Sequence, residues 1–329
     1  MSGESPMSRR LFLASLPGLV APLAAPALAQ PAWPTRPVRM LCGFPPGGLP
    51  DVYARLLAER FQAALGAPVV VENRVGGGGT LANEMLARTD DGHTMLSTSI
   101  SMTAGAALRA GRLNYDVMRD IAPVSGISVV ANGLFVHASV PVNTVEEFVA
   151  LAKARPGTFN CGSPGNGTSP HVTQEYFKLR TGVDMVHVPY AGTGPLMPAF
   201  LAGQVTVVID NIPLYMSHVR EGRLKLLAVS TPARWPSAPE VPTIAETVAP
   251  GFDVRAWFGL VAPMRTPEAV LERMNALAVA ALNDPAVSAR IRQGGAEPWP
   301  TSREEFAGFM RADMERWTEV VRLSGARVD

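Results

Sequence analysis

The sequence predicts an α/β fold built as two lobes with a cleft between them, and three observations carry that prediction. Short β-rich runs alternate with amphipathic stretches along most of the chain, which is the pattern of helices layered on sheets. Two Pro/Gly-rich turns, Phe44-Pro-Pro-Gly-Gly-Leu-Pro-Asp51 and Ser163-Pro-Gly-Asn-Gly-Thr-Ser-Pro-His171, each join an apolar strand to a helix. Between Ala122 and Val136 two apolar runs are separated by Ser128 to Asn132, where the chain is expected to pass from the first lobe into the second.

The 329 residues suffice for two domains of ordinary size, and 47% hydrophobic residues without an extended low-complexity tract argue for packed cores. Residues 1–29 read as an export signal: Ser8-Arg9-Arg10-Leu11-Phe12-Leu13 opens an apolar run that ends at the small-x-small site Ala27-Leu28-Ala29. The paired arginines fit the twin-arginine route, and two basic residues ahead of an apolar run also fit the Sec route. Pro17, Pro22 and Pro26 break the run before it reaches the length of a membrane span. Losing residues 1–29 removes Arg9, Arg10 and Glu4, so the formal net charge of +1 falls to zero. A chain without basic excess is not built for nucleic acid.

After the Pro-rich lead Trp33 to Pro37, Val38 to Gly43 reads as the first strand. Asp51 to Leu65 reads as a helix with Val52, Leu56, Leu57 and Phe61 on one face, followed by strands Val69 to Glu72 and Thr94 to Ser99. The second lobe repeats the pattern: helix Val145 to Arg155, strand Phe159 to Gly162, helix Ser169 to Thr181, strand Met185 to Pro189, helix Leu196 to Ala202, and strands Val205 to Asp210 and Leu224 to Ser230. Its helix starts are marked by the capping box Thr144-x-x-Glu147 and by Ser169-Pro170, a hydroxyl at the N-cap with proline first in the helix. A Pro-rich stretch, Pro232 to Pro250, precedes the apolar run Ala256 to Ala262, which carries the chain back to the first lobe. Thr266-Pro267, Asp284-Pro285 and the capping box Ser302-x-x-Glu305 open the last helices. The expected division is residues 31–130 with 256–329 for lobe 1 and 131–255 for lobe 2.

Each of the two turns leaves the first amide N–H groups of a helix free for an anion. In the first, Pro45 and Pro46 stiffen the backbone while Gly47 and Gly48 let a ligand approach closely. In the second, Asn166, Thr168, Ser169 and His171 add side-chain donors to the amides of Gly165 and Gly167, with Ser169 also capping its helix. Two such turns on opposite lobes would grip one carboxylate. The run Gly76 to Gly79 reads as a flexible turn at a cleft edge, since it lacks the spacing and the downstream acid of a dinucleotide fingerprint. Cys42 and Cys161 each end a strand before one of the turns; a bond between them would staple the lobes, and two buried free thiols are the favoured reading.

No metal is expected, because the histidines at 93, 137, 171, 187 and 218 and the two cysteines never fall at ligand spacing. A hydrolase would need a nucleophile elbow, and no Gly-x-Ser-x-Gly occurs. An exported α/β enzyme acting on a small carboxylic acid remains the competing class, since one architecture hosts both roles.

Taken together, Trp33-Pro34-x-Arg36-Pro37, Phe44-Pro-Pro-Gly-Gly48 with Asp51, Val71-Glu-Asn-Arg74, Gly165-Asn-Gly-Thr-Ser-Pro-His171, His187-Val-Pro-Tyr190 with Gly192, Asp210-Asn211 and Trp257-Phe258-Gly259 resemble the periplasmic substrate-binding proteins of tripartite tricarboxylate transporters, the Bug family. The resemblance spans nearly all of the chain after the signal. It implies a type II periplasmic-binding-protein fold, a monomer that binds a small organic acid in the cleft without a cofactor, performs no chemistry, and passes its ligand to membrane permease subunits. Carried over residue by residue, the ligand site comprises Phe44, Pro46, Gly47 and Gly48, then Thr98 or Ser99, then Asn166, Gly167, Thr168, Ser169 and His171, and finally Tyr190, Gly192, Asp210 and Asn211. Four departures bear on the ligand. Leu49-Pro50 stands where hydroxyl residues are common, Cys42-Gly43 replaces an aliphatic-proline pair, Cys161 sits at a frequent tyrosine, and Ala191 takes the place of a frequent basic residue. Loss of polar groups favours a monocarboxylate, or an acid with an apolar or aromatic part, over densely charged citrate.

Overall fold

Strand β4, Ile121–His137, carries the chain between two halves of one sheet, and the rest of the fold is arranged about it. The computed structural model describes residues 33–325 and Gly3. Two units are distinguished, Met1–Trp33 and Pro34–Asp329. The expected export signal at residues 1–29, with its cleavage near Ala29, lies outside the described residues except for Gly3.

In the second unit the chain runs through β1 (Val38–Cys42), α1 (Leu49–Leu65), β2 (Val69–Asn73), α2 (Thr80–Ala87), β3 (Thr94–Ser99), α3 (Ser101–Leu108) and α4 (Val117–Asp120) before entering β4. It continues through α5 (Val145–Ala154), β5 (Phe159–Ser163), α6 (Ser169–Thr181), β6 (Met185–Pro189), α7 (Thr193–Leu201), β7 (Val207–Asn211), α8 (Met216–Arg220) and β8 (Leu224–Val229). It returns through β9 (Arg255–Pro263), α9 (Glu268–Asn283), α10 (Pro285–Gln293), β10 (Glu297–Pro298) and α11 (Arg303–Ser324). The strand order is β2-β1-β3-β9-β4-β7-β5-β6, with β8 and β10 also paired to β4. β1, β2 and β3 are parallel, as are β5, β6 and β7, whereas β4 runs antiparallel to β7, β8 and β9.

The two apolar runs around Ser128 to Asn132 form one continuous strand. Ile121 through Ala131 pair with β9 in the first half-sheet, and from Asn132 onward the partners are β7 and β8 in the second. Polar side chains do not interrupt a strand whose backbone ladder is intact, and Ser128 and Asn132 are both fully buried. α1 begins two residues earlier than its apolar pattern indicates, and its buried face uses Tyr53, Leu56, Leu57 and Phe61 while Val52 lies exposed. The amphipathic pattern gave no sign of α2, α3 or α4. α3 reads Ser-Met-Thr-Ala-Gly-Ala-Ala-Leu and is buried almost all round, so it has no polar face to show a helical period.

Both capping boxes form as expected, Thr144 with Glu147 and Ser302 with Glu305, and the Asp284 carboxylate accepts from the amides of Ala286 and Val287. At α9 the N-cap position falls to Pro267 instead of Thr266, whose hydroxyl has no partner among the described residues. Cys42 and Cys161 are free thiols, both buried.

The Trp257-Phe258-Gly259 run on β9 shows why three adjacent residues are so constrained. Trp257 packs edge-on against Phe306 and Phe309 of α11, at 5.6 and 5.7 Å between ring centroids. On the other face Phe258 meets Tyr53 of α1 at 5.1 Å. Any Cβ at position 259 would stand 2.2 Å from Cζ of Phe306. Asp313 of α11 joins this core to α3. Its Oδ2 accepts from Trp257 Nε1 at 2.9 Å and Thr103 Oγ1 at 2.5 Å, and its Oδ1 accepts from Trp317 Nε1 at 3.0 Å.

Replacing Asp313 with Ala leaves two buried indole N–H donors, of Trp257 and Trp317, unpaired, while the Thr103 hydroxyl keeps the Ile100 carbonyl as acceptor at 3.0 Å. At about 1–3 kcal/mol for each, the stability should fall by about 2 kcal/mol or more. Urea unfolding checks this, and a midpoint equal to wild type would contradict the tie between α3, β9 and α11.

Candidate functional site

The first turn is set by a carboxylate that faces away from solvent. Gly47 lies at φ +86° and donates its N–H to Asp51 Oδ2 at 3.0 Å. Asp51 also accepts from Arg55 Nε and Nη2, each at 3.0 Å, and from Asn73 Nδ2 at 2.8 Å. Burial pushes this carboxyl up, but Arg55, the Gly47 amide and Asn73 together outweigh it and hold Asp51 below the usual carboxylate range. Asn73 donates to the Phe44 carbonyl as well, at 2.9 Å, so β2 props the turn from beneath. Asp51 and Asn73 stand in the quoted motifs, yet only the fold shows that they act as this support. α1 then starts at Gly48 with no side-chain cap, so its first amides are not occupied by its own side chains.

In the second turn Gly165 and Gly167 adopt φ of +136° and +80°. Ser163 Oγ lies 2.6 Å from His187 Nε2 and accepts from the Gly165 amide at 3.2 Å. His187 stacks on His171 with centroids 4.2 Å apart, and His171 Nδ1 accepts from the Gly167 amide at 3.0 Å. Burial lowers the His171 pKa to about 3 and the His187 pKa to about 4, so both rings are neutral near pH 7. With Nδ1 accepting, the proton of His171 sits on Nε2.

Ser169 does not cap its helix, contrary to expectation. Thr168 takes the N-cap position without a side-chain cap bond, its hydroxyl instead donating to the Gly165 carbonyl at 2.7 Å. Ser169 becomes the first helical residue and its Oγ accepts from Asn132 Nδ2 at 2.8 Å. The cause is tertiary: the buried Asn132 amide competes successfully for a hydroxyl that local rules assign to the helix end. Ser169 therefore keeps its own O–H proton free of any acceptor among the described residues.

The two turns meet across a third glycine segment. Gly77–Gly79 forms a 3₁₀ turn leading into α2, with Gly78 at φ +66°. Gly78 sits so near the second turn that an added Cβ would lie 2.5 Å from the Asn166 carbonyl oxygen. Similarly, a Cβ on Gly167 would fall 3.3 Å from Gly105 Cα and 2.9 Å from Arg109 Nη1, and one on Gly192 would fall 3.8 Å from Pro45 Cγ. The Gly76 run is thus a contact surface between the half-sheets and not merely a flexible turn.

Around this contact the structure gathers most of the expected residues. A Cβ on Gly79 would touch both the Phe44 ring and Ser101 Oγ, each at 3.4 Å, and the Ser101 hydroxyl is 2.9 Å from that of Ser99. Thr98 and Ser99 are buried as the last residues of β3. Pro46 is exposed in the first turn, and the half-buried Tyr190 donates its N–H to the Ser163 carbonyl at 2.9 Å. Gly192 is the N-cap of α7, again without a side-chain cap. Asn211 pairs directly with Asn132 in the β4–β7 ladder. The Asp210 carboxyl is fully buried. Its Oδ1 accepts from the backbone and side-chain N–H groups of Asn211 at 2.7 and 2.8 Å, and its Oδ2 accepts from Tyr215 OH at 2.8 Å. Burial raises this carboxyl to about 6 against those hydrogen bonds.

Among the described residues no group of three or more His, Cys, Asp or Glu side chains converges as a metal site. No described helix is long and apolar enough to cross a membrane.

Comparison with known proteins bears on this geometry. The sequence profile described as tripartite tricarboxylate transporter family receptor matches residues 53–325. Protein BugT of Bordetella pertussis is 35% identical over 325 residues, covering 98% of this chain and 99% of the relative. Among solved structures, R. palustris Rpa4515 with adipate has a TM-score of 0.84 at 34% identity, covering 90% of this chain and 100% of that one. MatC from Rhodopseudomonas palustris with bound malate has a TM-score of 0.81 at 32% identity, covering 88% of this chain and 100% of that one. The periplasmic binding protein BugD has a TM-score of 0.82 at 29% identity, covering 90% and 99%.

Gly78→Ala should hold the half-sheets apart. Small-angle X-ray scattering is expected to give a larger radius of gyration with an unchanged circular dichroism spectrum, and an unchanged radius would contradict the contact. A second expectation concerns pH. Because the folded pKa of Asp210 is about 6 and its ordinary value is 3.8, the folded state holds the extra proton between them. The stability this contributes is present below about pH 4 and lost as pH rises through about 6. The difference in urea midpoint between wild type and Asp210→Asn should change across that window and level off above it. A difference that is constant with pH would contradict the burial argument.

Proposed function

This chain belongs to the tripartite tricarboxylate transporter receptor family, and on that footing we propose that it captures a small organic carboxylate in the cleft and releases it chemically unchanged. The observation that carries the proposal is the meeting of three helix starts, those of α1, α6 and α7, at glycine-containing turns without side-chain caps. Unpaired N–H groups at a helix start, with the positive end of its dipole, accept a carboxylate without a buried cation. The ligand contacts in this reading are the Phe44, Pro46, Gly47 and Gly48 turn, Thr98 or Ser99, Asn166 to Ser169, His171, Tyr190 with Gly192, and Asn211, which Asp210 holds.

The donors gathered here are amides, hydroxyls and a neutral imidazole, with the half-buried Arg109 guanidinium beside Gly167. They hydrogen-bond a carboxylate at moderate strength, which suits a carrier that must also let go. Leu49 and Pro50 give the first turn an apolar floor, so the proposed ligand is a monocarboxylate or an acid with an apolar or aromatic part. Relatives whose structures hold adipate and malate support the carboxylate class. We further propose that the protein works as a monomer outside the cytoplasm, once residues 1–29 are removed, and hands its ligand to membrane permease subunits. The lobes, 31–130 with 256–329 and 131–255, then close on the ligand by bending where β4 changes half-sheets.

Calorimetric titration with adipate, malate, citrate, hexanoate and benzoate tests the ligand class. An acid with an apolar part should bind tightest, and citrate binding tighter than all the others would overturn that choice. At about 100-fold excess over Kd the bound acid should raise stability by about 2.7 kcal/mol. Gly48→Val and Asn166→Ala should each lose this gain while keeping the wild-type circular dichroism spectrum. Full stabilisation in both variants would move the site elsewhere, and recovery of a converted acid would make the protein an enzyme.

A further inference from the structure

We propose that Asn132 is a positioning residue that couples the change of partner strands in β4 to the second ligand turn, through two side-chain hydrogen bonds, one of which also fixes the polarity of Ser169. Three observations meet at this residue. The first is its place in the sheet: Ala131 pairs with Arg255 in the first half-sheet, and Asn132 pairs with Asn211 in the second, so the strand changes partners between these two positions.

The second is its backbone. The Asn132 N–H donates to Ser230 Oγ at 3.0 Å, and its carbonyl accepts from the Ser230 N–H at 2.8 Å. Ser230 Oγ donates to the Val254 carbonyl at 2.6 Å, and the Val254 N–H returns to the Ser230 carbonyl at 2.9 Å. The outgoing crossing at Asn132 and the returning crossing at Val254 are thereby laced through a single serine. Any rotation of one half-sheet against the other must act on this group.

The third is its side chain, which is fully buried. Nδ2 donates to Ser169 Oγ at 2.8 Å and to Thr173 Oγ1 at 2.7 Å, while Oδ1 has no partner. A buried carbonyl oxygen without a donor is unfavourable, so the orientation persists because both amide protons are committed to α6. Those two bonds clamp the first turn of α6 to the bending point. They also settle what Ser169 presents: an oxygen that accepts from Asn132 directs its own proton elsewhere, and a carboxylate requires a donor. Thr173 Oγ1 donates onward to the Ser169 carbonyl at 2.7 Å, so the clamp holds backbone as well as hydroxyl.

The proposal has a ligand-free consequence, and its second part rests on the reading of the Asn166 turn as the ligand's seat. The experiment separates the two. Spin labels at Glu59→Cys on α1 and Lys153→Cys on α5 report the separation of the half-sheets, both positions being exposed while the native cysteines are buried. Without ligand, Asn132→Ala should broaden the distance distribution, and Ser169→Ala combined with Thr173→Val, which removes the same two bonds from their other end, should broaden it equally. A distribution unchanged by that double variant would overturn the coupling and leave Asn132 a strand residue only.

With adipate and malate as probes, Asn132→Asp is the decisive variant. It keeps shape but accepts where Asn donates, so Ser169 must turn its proton inward and offer lone pairs to the ligand. Affinity for whichever probe wild type binds should fall at least about tenfold, while amide exchange at Val172 and Thr173 stays near wild type. Undiminished affinity would overturn the assigned polarity. Binding of neither probe by wild type would count against the ligand class alone, since the ligand-free distances still decide the coupling.

Discussion

The approach of Gly78 to the Asn166 carbonyl is the constraint on which the arrangement of the site depends. There is no space for a Cβ at 2.5 Å from that oxygen, and φ is +66°, so only glycine brings the two half-sheets this close without strain. The same economy of side chains recurs at Gly105 against Gly167 and at Gly192 against Pro45. Where backbone meets backbone, amides from both halves end up around one small volume. The glycine segments therefore serve a tertiary purpose, and the helix starts they introduce converge as a result.

Each turn is in turn held by one polar residue that local sequence rules undervalue. Asp51 organises the first by accepting from Gly47, Arg55 and Asn73, so its charge is paired with the Arg55 guanidinium. Asn132 organises the second from beneath by directing Ser169 and Thr173. The stacked pair His171 and His187, kept neutral by burial, adds shape and one donor without charge. Beside this neutral pair stands one cation, the half-buried Arg109 guanidinium, against Gly167 of the second turn.

Much of this was legible in the sequence because it is local. The capping boxes at Thr144 and Ser302, the Asp284 cap and the strand from Thr94 to Ser99 all follow from nearest-neighbour chemistry, and all stand in the structure. What escaped has a long-range cause. α3 shows no amphipathic period because it is buried nearly all round. The Gly76 run reads as a flexible turn at a cleft edge, and its close approach to the Asn166 turn, far along the chain, has no local signal. Ser169 looked like an N-cap because the competing amide at Asn132 is 37 residues away. The break seen between Ser128 and Asn132 marks a change of partner strands within one strand, which alternation of apolar residues cannot express.

A crystal structure of the protein with a bound organic acid tests the central claim most directly. The account predicts one carboxylate group within about 3 Å of donors from both half-sheets at once, first-turn amides of α1 on one side and the Asn166 to Ser169 turn on the other. A carboxylate held by one half-sheet alone, or seated away from the Gly78 contact, would contradict it.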